Sequence, residues 1–118
     1  MGWRALYSNT TGENNVALGH DALYYNKGAQ NTAIGNDALL WNKQAHGNTG
    51  VGYRALLYSE TGDGNTALGW KAGDGITTGS NNTIIGYDAD PSIWNASNQI
   101  VIGKGATCLL YTSPSPRD

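Results

Sequence analysis

Glycine recurs at Gly2, Gly19, Gly35, Gly52, Gly69, Gly86 and Gly103, at intervals of 17, 16, 17, 17, 17 and 17 residues. From the second to the fifth copy it follows a small residue and an aliphatic one, as in NVALG, NTAIG, NTGVG and NTALG, and in the last two copies it follows two aliphatic residues. An irregular globule gives no reason for such spacing. A period in this range means that one short unit, unable to bury its apolar side alone, is covered by the next copy. The chain therefore winds as a solenoid.

Columns aligned on that glycine assign a role to each position. The residue before it is always aliphatic: Leu18, Ile34, Val51, Leu68, Ile85 and Ile102. The two residues ahead of that one are small, β-branched or aliphatic in every copy, which suits a short strand and serves a helix poorly. Three places after the glycine stands Ala5, Ala22, Ala38, Ala55, Ala72, Ala89 or Ala106, and Leu follows as Leu6, Leu23, Leu39 and Leu56. A position that takes only alanine is one where another backbone comes close. The aliphatic and alanine columns are therefore expected to form the coil-stacking core, and the Ala-Leu segment a second short strand or an extended corner.

The segments between copies are rich in Asn, Gly, Thr and Ser, residues that accept left-handed backbone or bond it with their side chains. Asn15, Asn31, Asn48, Asn65 and Asn82 open successive copies, and stacking in register would turn them into an amide ladder. Two places after the glycine, Arg4 with Asp21, Asp37 with Arg54 and Lys71 with Asp88 become opposite-charge neighbours if coils stack about 4.8 Å apart. Composition agrees with a thin core, since the 118 residues include 17 Gly and no Phe.

These repeats, NTAIGNDAL, NTALGWKAG and NNTIIGYDA, resemble the YadA-like head repeats of trimeric autotransporter adhesins. The longer spacing, with ALYSNTTGENN between strands, is similar to repeats of phage tail-fibre proteins that precede an endosialidase-type chaperone. The resemblance spans residues 2 to 107 and implies an all-β, left-handed parallel β-roll of about seven coils of 16–17 residues, assembled as a homotrimer. It also implies an extracellular place, on a bacterial cell surface or a virion, and host attachment as the task. These coils are longer than those of the adhesin heads, and collagen binding is not carried over. Because the repeat is already running at Gly2, the chain is expected to be a fragment of a longer protein.

Trimerisation has support outside the resemblance. A coil of this length encloses little volume, and the Leu, Tyr and Trp of ALYSN, ALYYN, ALLWN and ALLYS exceed what it can hold. Apolar surface of that kind meets another chain, commonly an identical one under cyclic symmetry. The alternative is a monomeric solenoid braced by its aromatics.

Aromatics supply the candidate contact residues. Tyr53, Trp70 and Tyr87 follow the glycine directly and would align as a stripe able to meet a glycan or protein. Tyr7, Tyr24, Tyr25, Trp41 and Tyr58 follow the Ala-Leu pair and suit interchain or loop packing. No catalytic constellation, phosphate loop or metal-ligand spacing is present, so neither enzymatic activity nor a cofactor is expected. The Gly-Asp-Gly turns at 62–64 and 73–75 suggest calcium only weakly, lacking the nonapeptide repeat of β-roll calcium sites. A formal net charge of −2 without a basic run argues against nucleic acid and a membrane surface, and no apolar stretch is long enough to span a bilayer.

Residues 108–118, CLLYTSPSPRD, carry the only Cys and none of the repeat. They resemble a translated sequencing adapter and are set aside as a non-native, disordered tail, leaving 1–107 as the repeat segment. Three functions remain in view: an adhesive fibre segment, a purely structural spacer with the receptor site elsewhere, and an ice-binding solenoid. The last is prompted by Thr32, Thr49, Thr66 and Thr83 in one column and ranks below the others, since the next outward position is aliphatic.

Overall fold

The computed structural model describes residues 1–105, together with the backbone of Leu109–Thr112. Residues 106–108, with Ala106 and Cys108 among them, and 113–118 lie outside the described residues, and the expectation of a disordered tail falls largely on them. The chain is an all-β parallel solenoid of about five turns, without a helix among the described residues. Strands β1 (Val16–Leu18), β2 (Thr32–Ile34), β3 (Thr49–Val51), β4 (Thr66–Leu68), β5 (Thr83–Ile85) and β6 (Gln99–Ile102) pair in parallel in sequence order. The register follows the repeat, with Val16 beside Thr32 and Thr32 beside Thr49. Strand β7 (Leu109–Thr112) runs antiparallel to β6.

The anchor glycines set the winding. Gly2, Gly19, Gly35, Gly52, Gly69, Gly86 and Gly103 hold φ between 131° and 139°. A Cβ on any of the first six would stand 2.0–2.6 Å from the peptide of the next anchor. Only a residue without a side chain lets the coils close to hydrogen-bonding distance.

After the earlier anchors the chain turns twice. Ala5 N–H donates to Gly2 O and Tyr7 N–H to Arg4 O, both at 3.2 Å. The third residue of each turn has positive φ: Arg4 at 57°, Asp21 at 57°, Leu6 at 57° and Leu23 at 54°, for example. Turns of this kind normally place Gly or Asn there, and a left-handed L-residue costs roughly 1–2 kcal/mol. Burial of each leucine, worth about 1.5–3 kcal/mol, offsets that strain. The Ala-Leu segment is thus a corner built of turns and not a second strand. The alanine column relays the stacking through its backbone: Leu6, Leu23, Leu39 and Leu56 donate at 3.0 Å to the carbonyls of Ala22, Ala38, Ala55 and Ala72.

The core differs from expectation at one column. Ala22, Ala38, Ala55, Ala72 and Ala89 are buried as predicted, but Leu18, Ile34, Val51, Leu68, Ile85 and Ile102 face outward, with Leu18 48% and Leu68 50% exposed. A three-residue strand points its middle residue to one side and both ends to the other. The corner leucines already fill the interior, so the small residues Ala17, Ala33, Gly50 and Ala67 turn inward. Where Gly73 interrupts the leucine column, Ile76 and Ile84 enter and restore the volume.

One wall of the interior is polar. Asn31, Asn48, Asn65 and Asn82 are buried, and each accepts at Oδ1 the backbone N–H one coil ahead: Asn48 donates to Asn31, Asn65 to Asn48, Asn82 to Asn65 and Gln99 to Asn82. Their Nδ2 groups donate to the carbonyls of Ala45, Gly62, Gly79 and Ala96 at 2.7–2.9 Å. The expected amide ladder is present, tied to backbone at every rung. Among the described residues no buried side-chain polar atom lacks a partner.

Candidate functional site

Outside the corner, the residue following each anchor is thrown onto the surface, and stacking brings one column together. Tyr53 and Trp70 have ring centroids 5.9 Å apart and planes 23° apart; Trp70 and Tyr87 are 4.6 Å and 8° apart. The predicted stripe therefore forms. Its rings are stacked along the row, however, closely at Trp70 and Tyr87 and with a wider offset at Tyr53, so part of the ring surface is turned toward neighbouring coils. Cations flank it: Arg54 lies 5.2 Å over Tyr53, Lys71 4.6 Å over Trp70 and Lys104 6.0 Å over Tyr87. At the other end of the same column Trp3 and His20 are 5.0 Å apart.

The second aromatic group divides into two columns. Tyr7 and Tyr24, five places after their anchors, stack at 5.1 Å; Tyr25 and Trp41, six places after theirs, stack at 4.3 Å. Tyr24 and Tyr25 meet edge to face at 4.5 Å and 68°, and there the ladder steps sideways. These contacts are within the chain and brace successive coils. Tyr58, in the second column, is exposed.

Beside the step, Arg4 Nε and Nη2 donate to Asp21 Oδ1 and Oδ2 at 2.8 and 2.7 Å, as the charge column predicted. The bond to Asp21 raises the Arg4 pKa above its ordinary value. The pair Arg54–Asp37 also forms, at 3.4 Å, whereas Lys71–Asp88 does not appear among the described ion pairs. Lys71 lies over Trp70 instead, and Asp88 joins Asp74 and Asp90, whose candidate ligand atoms fall within 4.8 Å of one another. Burial pushes the Asp90 carboxyl up to about 7; the Gly75 N–H opposes the shift, and Asp74 and Asp88 add to it. Burial also raises Asp74. His20, Asp21 and Asp37 form a second close group, with Asp21 committed to Arg4. Of the Gly-Asp-Gly turns, Asp74 belongs to the acidic group, whereas Asp63 accepts the His46 N–H at 2.7 Å as a coil-to-coil brace.

Sequence reasoning missed two ladders. Asn9, Asn26 and Asn42 recur seven places after their anchors; Asn26 donates to Asn9 Oδ1 and Asn42 to Asn26 Oδ1, at 2.8 and 2.6 Å. The YSN, YYN and LWN triplets carried that signal. The column of Ala29, His46, Asp63, Ser80 and Ser97 links each backbone N–H to the next side chain, from Ala29 to His46 Nδ1 through Ser80 to Ser97 Oγ. Its residue types vary, so only the shared acceptor chemistry marked it.

The fold and surface define a parallel β-solenoid clad in aromatic ladders. Comparison with protein-family models, with curated proteins and with solved structures gives no match.

Proposed function

We propose that this chain is a segment of a homotrimeric β-roll fibre that projects from a bacterial cell or a virion and presents an adhesive outer face to a host protein, glycan or matrix. In this reading the winding is left-handed, the coils run from Gly2 through Gly103 to about seven, and the segment works without catalysis or a cofactor.

The observation that carries it is the outward aliphatic column of Leu18, Ile34, Val51, Leu68, Ile85 and Ile102. It lies beside Val16, Thr32, Thr49, Thr66, Thr83 and Ile100 on one face of a continuous parallel sheet. A repeated apolar face is a surface that a second chain covers, and three identical faces around an axis cover one another. Fully buried, each large aliphatic side chain contributes about 1.5–3 kcal/mol. Light scattering on the purified chain tests the assembly: a trimer mass is expected, and the double variant Ile34→Lys, Leu68→Lys should be monomeric with its β-sheet spectrum intact. A monomer mass for the unmodified chain rejects the assembly.

Adhesion is assigned to the row Tyr53, Trp70 and Tyr87. Replacing all three by Ala should abolish binding to host cells while the oligomer persists. A purely structural spacer is the second reading, favoured by the stacking of the row's rings on one another from coil to coil. A spacer leaves the unmodified chain without host binding.

A further inference from the structure

We propose that the recess where the aromatic ladder steps sideways binds one neutral sugar residue. The recess measures about 140 Å³ and is lined by Arg4, Asp21, Tyr24, Tyr25, Leu40 and Trp41. It exists because Tyr24 and Tyr25 meet edge to face at 68°, whereas the rings on either side are stacked within 14°. Two stacks that do not continue into each other leave room between them.

The walls carry two complementary chemistries. Tyr25, Leu40 and Trp41 supply an aromatic and aliphatic side that suits the C–H groups of a pyranose, and the edge of Tyr24 closes the recess between them and the ion pair. Beside it a carboxylate and a guanidinium are fixed side by side, the guanidinium 5.0 Å over the Tyr24 ring. Arg4 uses one N–H on each Asp21 oxygen and His20 Nδ1 lies 3.3 Å from Oδ2, which leaves Oδ1 a further acceptor site and Arg4 further donors. Adjacent acceptors and donors held at fixed separation match the adjacent hydroxyls of a sugar ring. Asp21 is only 8% exposed, so its position is set by the fold before any ligand arrives.

Charge and size narrow the ligand class. The ion pair brings the recess close to neutral, so an acidic sugar meets Asp21 and an amino sugar meets Arg4. The volume falls below the roughly 300–1,000 Å³ of drug-sized sites, which limits occupancy to a single ring. The inference rests on the surface-contact reading only in calling the ligand a glycan; its residues differ from Tyr53, Trp70 and Tyr87, and the two assignments are tested by different variants.

Amide NMR titration of the full chain tests it, with glucose, galactose and N-acetylglucosamine as neutral probes and N-acetylneuraminic acid and glucosamine as charged ones. Saturable shifts at Asp21, Tyr24, Tyr25 and Trp41 with at least one neutral sugar are expected. Asp21→Asn should weaken binding by about tenfold or more, the scale of one hydrogen bond to a charged group, and Trp41→Ala should weaken it by about tenfold through the lost aromatic wall. Retained far-ultraviolet spectra and an unchanged Asn48 amide position certify that each variant is folded, and Trp41→Ala leaves the Arg4–Asp21 pair in place. No saturable shift with any neutral sugar overturns the proposal, as does binding of charged sugars alone. Shifts centred on Tyr53, Trp70 and Tyr87 also overturn it, while leaving the surface-contact reading standing.

Discussion

The backbone N–H of Asn48 donates to the side-chain oxygen of Asn31, one coil earlier, at 2.9 Å, and neither residue meets solvent. A solenoid this thin replaces some of its apolar core with amides that bond both along and across the stack. Asn48 also accepts from Asn65 N–H at 2.7 Å and donates to Gly62 O at 2.8 Å. Asn48→Leu should therefore strand a buried donor and a buried acceptor, each costing about 1–3 kcal/mol. A loss of roughly 2–5 kcal/mol is expected in urea unfolding. A loss below about 0.5 kcal/mol, on the order of a surface substitution, would mean that the ladder is incidental.

Gly35 and Gly47 distinguish close approach from backbone conformation. A Cβ on Gly35 would lie 2.4 Å from Gly52 O, while one on Gly47 would meet nothing within 4 Å. Both have positive φ, 135° and 68°. Gly47→Ala should cost roughly 1–2 kcal/mol, the left-handed penalty alone. Gly35→Ala must also force neighbouring coils away from each other, and it should lower the thermal midpoint far more or prevent folding. Equal effects in a thermal melt would show that the anchors are chosen for φ alone.

Much of this architecture is legible in the letters. The recurrence at Gly19, Gly35 and Gly52 reproduces the strand register, the alanine column marks the backbone relay, and Asn31 to Asn82 read directly as a ladder. The facing of Leu18 and Ile34 was not legible, because a three-residue strand flanked by apolar residues satisfies alternation either way. The decision comes from Leu23 and Leu39, which occupy the interior only because the backbone there is left-handed. Charge columns named Arg4–Asp21 correctly, yet Lys71 had two available partners and lies over the Trp70 ring. Column membership likewise placed Tyr53, Trp70 and Tyr87 together without revealing how closely Trp70 and Tyr87 stack.

Asp90 links stability to pH in an unusual direction. Burial lifts its carboxyl from 3.8 to about 7, with Asp74 and Asp88 adding repulsion, while Lys71 and Arg54 act on the neighbouring Asp74 in the opposite sense. Between those two values the folded chain holds a proton that the unfolded chain releases, so this group's contribution to stability falls as pH rises through the window and levels off above it. Asp90→Asn should flatten the dependence and stabilise the chain most at the alkaline end. Urea midpoints at intervals from about pH 4 to pH 8 check this, and a slope unchanged by the substitution would assign it to other groups.

Gly73 and Ile76 test whether the core conserves volume across its irregular coil. Gly73 takes the column that Leu23, Leu39 and Leu56 occupy elsewhere, with φ of 67° against their 53–54°. A Cβ there would already lie 3.4 Å from Ile76 Cδ1 and 3.0 Å from Leu56 Cδ2, so Ile76 fills the space that a leucine would claim. Ile76→Ala should open a cavity and cost about 2–5 kcal/mol. Gly73→Leu alone should overpack the coil and cost about 1–3 kcal/mol. Together they rebuild the arrangement of the preceding coils, and the double variant should be more stable than the sum of the single losses allows by at least about 1 kcal/mol. Strict additivity in urea unfolding would show that the two side chains do not compete for one site, and that Ile76 stabilises the chain through contacts of its own.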